Sequence, residues 1–380
     1  MSEWKNKSLA QFVTFQRGFD LPKSQFISGD IPVFGSTSIL GYHNLSKVVA
    51  PGVITGRSGT LGKFQYSTVA FWPHNTTLWV KDFKGNDPKF SYYLMQCFDF
   101  SDFNGGGAVP TLNRNVLKSL KVDVPPLQTQ QKIAKILSNY DDLIENNLKR
   151  IKLLEESARL IYEEWFLRFR IDGKKLEIDP DTDLPFGWQD VLLTDYIDLL
   201  RGVEPGSSKY EEVKTDSNIP FIRVGDLSKR DSDIYVSKDL ANNKIIDKDD
   251  ILLSLDGSPG KVRFGLSGCY STGIRKAVSK QKNVSSIFIY NLLNSPYIQG
   301  LIEAYATGAT ILHAGSSVKK MRVILPTDEV LDKYNNIEMK KFQLILNLSD
   351  ENKLLKEARD ILLPRLMTGM IDTDDLDIAV

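Results

Sequence analysis

Residues 127–170 contain no glycine or proline, and their apolar positions recur at spacings of three and four: Ile133, Ile136/Leu137, Tyr140, Leu143/Ile144, Leu148, Ile151, Leu154, Ala158, Ile161 and Trp165, with Asn147 on the same stripe. Sustained over more than four heptads, that spacing predicts a helix with a coiled-coil seam. At about 1.5 Å per residue it would be on the order of 60 Å long. Pro125-Pro126 fixes its start, since proline is tolerated only before or at the first turn. A second stripe, Tyr334, Ile337, Leu344, Leu348, Leu355, Ala358, Leu362 and Leu366, predicts a helix over roughly 328–367 that ends at Gly369, with Pro364 loosening its last turn. Each helix either covers its own domain's core or pairs with the other. Forty residues reach beyond the footprint of a domain of this size, which favours an antiparallel pair, with Asn147 setting its register.

The remaining chain alternates differently. Short β-rich runs (Gly52-Val-Ile-Thr, Val69-Ala-Phe-Trp, Thr77-Leu-Trp-Val80) stand between Gly, Pro and Asn punctuation, which suits an α/β or mainly β domain with long loops. The second half restates the first, at an offset drifting from about 184 residues to about 200: Trp4/Trp188, Leu9/Leu193, Arg17-Gly18/Arg201-Gly202, Gly62-Lys63/Gly260-Lys261, Pro126/Pro326, Ala158-Arg159/Ala358-Arg359. Solenoid units run only about 20–50 residues, so this is a duplicated domain-plus-helix module. The expected fold is α+β: two similar α/β domains separated by two long antiparallel helices, with a pseudo-twofold internal repeat. The expected boundaries are 1–126 for the first domain, 127–170 for the first helix and 171–326 for the second domain, with a joint at 171–186. The second helix would span 327–372, leaving a tail at 373–380.

Composition adds limits. A hydrophobic fraction of 42% and a charged fraction of 25% are those of an ordinary globular protein. No apolar run approaches the roughly 18–20 residues of a membrane helix, and Met1-Ser-Glu-Trp-Lys5 carries no secretory signal, so a cytoplasmic location is expected. The formal net charge is +0, which argues against gripping nucleic acid by bulk charge. Residues 1–125 nonetheless carry about five more basic than acidic side chains, a modest excess that favours phosphates. Cys97 and Cys269 match neither each other's repeat position nor a metal spacing, and are expected as buried free thiols.

Several strings imitate catalytic motifs and fail. Asn294-Ser-Pro-Tyr297 resembles the short motif with which amino-methyltransferases hold a target amine, but no glycine-rich cofactor loop accompanies it, and its proline is better read as a helix start. A phosphate-binding loop around Gly62-Lys63 or Gly260-Lys261 would need glycine where Arg57 and Leu255 stand, and Ser or Thr where Phe64 and Val262 stand. Gly105-Gly106-Gly107 reads as a tight loop. Three histidines and two cysteines are too few and scattered for a zinc site. No catalytic residue and no metal site is expected.

At Val124-Pro-Pro-Leu-Gln-Thr-Gln-Gln-Lys-Ile-Ala-Lys-Ile-Leu137, with Asp141-Asp-Leu-Ile-Glu-Asn-Asn147, Glu163-Glu-Trp-Phe166 and Arg365-Leu-Met-Thr-Gly369, the chain resembles the specificity subunit of type I restriction–modification systems. The resemblance covers the whole chain and departs from the pattern at Pro326-Thr-Asp-Glu-Val-Leu331, where the second helix lacks the glutamine pair. It implies a non-enzymatic subunit whose two target-recognition domains each read half of a split site in double-stranded DNA. The helices would fix the gap and dock two modification subunits, which carry S-adenosylmethionine and adenine methylation, with ATP- and Mg-dependent restriction subunits joining that core. No cofactor is expected on this chain. Competing readings are a methylation-only or differently organised system, a stand-alone DNA adenine methyltransferase, and a coiled-coil adaptor without a DNA role.

The repeat sorts candidate DNA contacts. Positions identical in both halves (Arg17/Arg201, Lys63/Lys261) should serve backbone geometry or phosphate contact; positions that differ (Arg57/Leu255, Ser58/Asp256) should read bases. Arginine is the commonest reader of guanine and asparagine favours adenine. The first-domain candidates are therefore Arg57, His43, Asn44, Asn75, Asn113 and Arg114. Those of the second are Arg223, Lys229, Arg230, Arg263, Arg275, Lys276 and His313, with Lys319 and Lys320 as a phosphate clamp. The resemblance points to Gln130, Gln131, Ile133, Asn147, Trp165, Phe166 and Arg365 as partner contacts.

Overall fold

The computed structural model describes residues 3–57, 62–98, 117, 120–229, 231–309 and 311–373. The chain forms two compact units, one of residues 1–146 with 352–380 and the other of residues 147–351. Both are α+β, and their main sheets share one strand order.

In the first unit, strands Thr14–Arg17, Thr77–Asp82, Gly52–Gly56 and Phe64–Ser67 lie in that order in an antiparallel four-stranded sheet. Strand Ile31–Phe34 pairs antiparallel with Ile39–His43 and parallel with Trp72–Pro73. Lys5–Ser8 pairs with Lys121–Val124. In the second unit the corresponding sheet is Ile197–Arg201, Ile274–Ser279, Ile251–Ser254 and Val262–Arg263. Asn218–Ile222 runs parallel to Gly268–Tyr270, and Gln189–Leu192 pairs with Arg322–Leu325. Matching hydrogen bonds close both: Leu9 N donates to Leu120 O at 2.7 Å and Leu193 N to Met321 O at 2.9 Å. The offset drift has a structural origin. The second unit inserts a short helix, Asp226–Lys229, and strand Ile245–Ile246.

Local signals place the helices. Asp87 caps Pro88–Gln96 by accepting from Phe90 N at 2.7 Å, with proline in the first turn. Ser295 caps Pro296–Ala304 the same way, so Asn294-Ser-Pro-Tyr297 is a helix start, and the Asn294 amide donates to Tyr290 O. The first long helix spans Leu127–Tyr162 and continues through a π-helical turn, Glu163–Leu167. The second spans Asp328–Met367 and runs through Pro364.

Within each unit the long helices lie antiparallel. In the first, Ile133, Ala134 and Leu137 share a core with Leu366 and Met367, while Arg359 Nη1 meets Asp141 Oδ1 at 2.5 Å. In the second, Asn147 Nδ2 donates to Glu351 Oε2 at 3.1 Å, and Lys341 bonds Ser157 Oγ at 3.0 Å and the buried Glu338 at 2.8 Å. The buried stripe is narrower than the apolar pattern. Leu143, Leu148, Ile337 and Leu344 face solvent, whereas Ile144, Asn147, Ile151 and Leu348 of the predicted stripes are buried, as is Ile345. Hydrophobic periodicity does not distinguish neighbouring positions on a broad face.

Candidate nucleic-acid interface

In both units the parallel strand pair delivers its C-terminal ends into a cluster of loops. His74 N donates to Phe34 O in the first, Ser271 N to Ile222 O in the second, each at 2.9 Å. Around the first junction gather the turn Gly35–Ser38, Arg57, the pair Gly62 and Lys63, and the segment 74–76. Arg57 N and Ser36 Oγ both bond Thr76 O, and Gln65 Nε2 bonds Gly35 O. Around the second gather Leu255 to Lys261 and Ser271 to Gly273, with the Leu255 and Asp256 amides both donating to Gly273 O.

The repeated residues build this frame. Arg17 Nε bonds the Asn75 carbonyl at 3.3 Å, and Arg201 Nε bonds the Thr272 carbonyl at 3.4 Å. The glycine after each arginine lets two backbones meet. A Cβ on Gly18 would stand 2.0 Å from His74 O, and one on Gly202 2.1 Å from Tyr270 O. Thr55 Oγ1 bonds Lys63 O at 3.0 Å, and at the matching position Ser254 Oγ accepts from Lys261 N at 2.9 Å. Gly62 and Gly260 take φ of 78° and 91°, a region that side chains resist. Burial, with Asp250 second, pushes the Tyr270 phenol up to about 12, so it remains a donor to Leu200 O.

The sequence-derived candidates divide on this geometry. Lys63 is exposed, Lys261 half-exposed and Arg57 half-buried; Asn44, Lys319 and Lys320 are exposed. His43 is 4% exposed, its Nδ1 accepting from Ile27 N at 3.0 Å and its ring edge-on to Trp72, so it is a packing residue. The Asn75 side chain bonds Asp20. In the second unit most basic candidates already have local partners: Arg223 with Asp226, Lys229 with Asp233, Lys276 with Asp250, and Arg263 with Leu227 O. Arg275 Nη1 reaches the Thr272 and Ile274 carbonyls at 2.5 and 3.1 Å, while Nη2 reaches Asp256 Oδ2 at 3.2 Å. Leu255 is a core residue. Asn113, Arg114, Arg230, Ser58 and the Gly105–Gly107 cluster lie outside the described residues.

The partner candidates are also redistributed. Gln130 is buried: its amide donates to Asn86 Oδ1 and Pro125 O while its carbonyl accepts from Asp87 N, clamping the helix start to the neighbouring cap. Ile133 belongs to the first core. Trp165 and Phe166 sit in an aromatic cluster, with the Phe166 ring 4.9 Å from Tyr334 and 5.2 Å from Phe288. Asn147 is committed to Glu351. Gln131 is half-buried and Arg365 exposed. Exposed apolar side chains on the helices went unremarked in the sequence: Leu354 and Ile361 in the first unit, Leu153 and Leu160 in the second. Each pair is spaced by seven, which sets it on one side of its helix. Of the two thiols, Cys269 is buried, whereas Cys97 is exposed at the end of helix Pro88–Gln96, past its apolar face. Among the described residues no group of three or more His, Cys, Asp or Glu side chains could hold a metal ion, and no helix is long and apolar enough to cross a membrane.

The sequence matches the family described as "Type I restriction modification DNA specificity domain" over residues 1–156 and 185–351. It is 28% identical over 309 residues to the type I restriction enzyme MjaIX specificity subunit of Methanocaldococcus jannaschii, covering 76% of this chain and 70% of that protein. It is 24% identical over 357 residues to the HindI specificity subunit of Haemophilus influenzae, covering 75% and 77%. The fold is similar to the crystal structure of the type I restriction–modification S subunit from M. genitalium, with a TM-score of 0.60, 17% identity and 96% coverage of both chains.

Proposed function

We propose, because this chain belongs to the family of type I restriction–modification DNA specificity domains and is a DNA-specificity subunit of that kind, that each of its two loop clusters reads one half of a bipartite site in double-stranded DNA. The observation that carries this reading is a frame built twice with different tips. Arg17/Arg201 and Gly18/Gly202 make the same backbone contacts in both units and Thr55/Ser254 each bond the backbone of the matching lysine, while the tips differ, with Arg57 in one cluster and Asp256 and His313 in the other. A shared frame keeps the approach to the phosphates constant; differing side chains change which base edges are complemented. The exposed lysines, Lys63 in the first unit and Lys319 and Lys320 in the second, supply phosphate contacts whose strength falls with salt.

In this reading the chain is non-catalytic. The boundaries 1–126 and 171–326 delimit the two readers, and the long helices set the gap between half-sites. The exposed faces of Leu153/Leu160 and Leu354/Ile361, with Gln131 and Arg365, dock two modification subunits. S-adenosylmethionine, ATP and Mg²⁺ belong to those subunits and to restriction subunits that join them. The test is to map methylated adenines across the genome of a host carrying this gene and its modification partner. A bipartite motif with a fixed gap is expected, and Arg57→Ala should relax one half of it alone. A single contiguous motif, or both halves changing together, would refute the assignment.

A further inference from the structure

The second unit's loop cluster contains a side-chain hub with no described counterpart in the first. Asp256 lies on the two-residue strand Asp256–Gly257, which pairs with Leu312–His313, Asp256 opposite His313. Its two carboxylate oxygens are divided between two elements. Oδ1 meets His313 Nδ1 at 2.8 Å, and Oδ2 meets Arg275 Nη2 at 3.2 Å. Arg275 and Asp256 are largely buried, at 13% and 18% side-chain exposure, while His313 is 61% exposed. Arg275 spends its other nitrogen on the Thr272 and Ile274 carbonyls, so it braces the carboxylate and has little left for a base.

This geometry has a chemical consequence for the imidazole. An ionised carboxylate only accepts hydrogen bonds, so His313 Nδ1 carries a proton, and in the neutral form of the ring the lone pair is then at Nε2. Backbone bonds hold the ring's carrier on both sides: Thr307 and His313 exchange N–H···O bonds at 3.1 and 2.8 Å, and Ala314 N bonds Leu255 O at 2.8 Å. The outcome is an exposed acceptor in a fixed tautomer on the loop cluster. Base-edge amino groups, adenine N6 and cytosine N4, are the major-groove donors that complement such an acceptor.

We propose that His313 is a specificity-determining residue of the second unit, its Nε2 accepting from the amino group of an adenine or cytosine, and that Asp256 is the residue that positions it. This rests on the assignment of the loop clusters as DNA readers. Arg275 is a brace in this arrangement, and the Ser58/Asp256 difference between the repeats becomes a difference in how the reading side chain is held.

The experiment uses the full chain assembled with its modification partner and duplexes in which the second half-site is randomised one position at a time. His313→Ala should lower discrimination about tenfold at one position, where the wild type prefers adenine or cytosine. Asp256→Ala should lower it at that same position, and the double variant should be no worse than the worse single one. Asp256→Asn should retain part of the preference, because its amide oxygen still accepts from Nδ1. The first half-site should be read as in the wild type throughout. His313 is exposed, so its removal does not endanger folding. Unchanged preference in His313→Ala overturns the proposal whatever Asp256→Ala does. Effects of the two substitutions at different positions, or uniform weakening over all sequences, overturn the role of Asp256. A wild-type complex without sequence preference would instead overturn the reader assignment itself.

Discussion

Replacing Gly18 or Gly202 with alanine tests whether the repeated frame does what its geometry implies. At Gly18 the added carbon would lie 2.0 Å from His74 O and 2.5 Å from Pro73 O; at Gly202 it would lie 2.1 Å from Tyr270 O and 2.5 Å from Ser271 O. Carbon and oxygen do not approach so closely without bonding, so the two backbones must part by more than about 1 Å. The bonds that hold them there would be lost. In the first unit these are Phe19 N to Pro73 O at 2.8 Å and Gly18 N to Thr77 O at 3.0 Å; in the second, Val203 N to Tyr270 O at 3.0 Å. Two such bonds contribute about 1–3 kcal/mol net. Strain from the inserted methyl adds about 1–3 kcal/mol. Gly18→Ala should therefore destabilise its unit by about 2–6 kcal/mol, and Gly202→Ala by slightly less. Urea unfolding measures the loss as a lowered midpoint. Parting the backbones also pulls the Asn75 or Thr272 carbonyl from its arginine, so each variant should lose discrimination in one half-site only. A Gly18→Ala protein with the wild-type midpoint and base preference would refute the reasoning.

Further outcomes follow from packing, charge and burial. Phe166→Ala removes a ring from the centre of an aromatic cluster and should cost about 3–5 kcal/mol in denaturant unfolding. Arg365→Ala, on the surface, should change stability by less than about 0.5 kcal/mol while weakening assembly with the modification partner, read by co-purification. Lys63→Ala should weaken binding equally across DNA sequences and reduce the slope of log affinity against log salt by about one; a change confined to one sequence would contradict phosphate contact. Burial pushes both the Cys269 and the Cys97 thiol up to about 11, which disfavours the reactive thiolate of each at neutral pH, so access to the reagent separates them. A thiol reagent at pH 8 should modify exposed Cys97 first and reach Cys269 only on unfolding, which mass spectrometry of labelled peptides would show. The same shift means that the Cys269 thiol's contribution to stability is present below pH about 9 and is lost as pH rises towards about 11.

The chain's own pattern determined the duplication, the positions of both long helices and the α+β class. These rest on quantities local to the sequence: the 3-4 spacing of apolar residues, proline at helix starts and the recurrence of Arg-Gly and Gly-Lys. Even the insertions that separate the two halves were visible as a drifting offset. What each polar side chain was free to do was decided only by folding. His43, Gln130 and Arg275 read as surface chemistry along the chain, yet their hydrogen bonds go to Ile27, Asn86 and Asp256, partners 16, 44 and 19 residues away. Asp256 was seen in the sequence only as a mismatch with Ser58, and its pairing with His313 spans 57 residues. Hydrophobic periodicity records which face of an element is buried. Which donor meets which acceptor depends on where strands and loops distant in sequence are brought together, and only the tertiary structure fixes that.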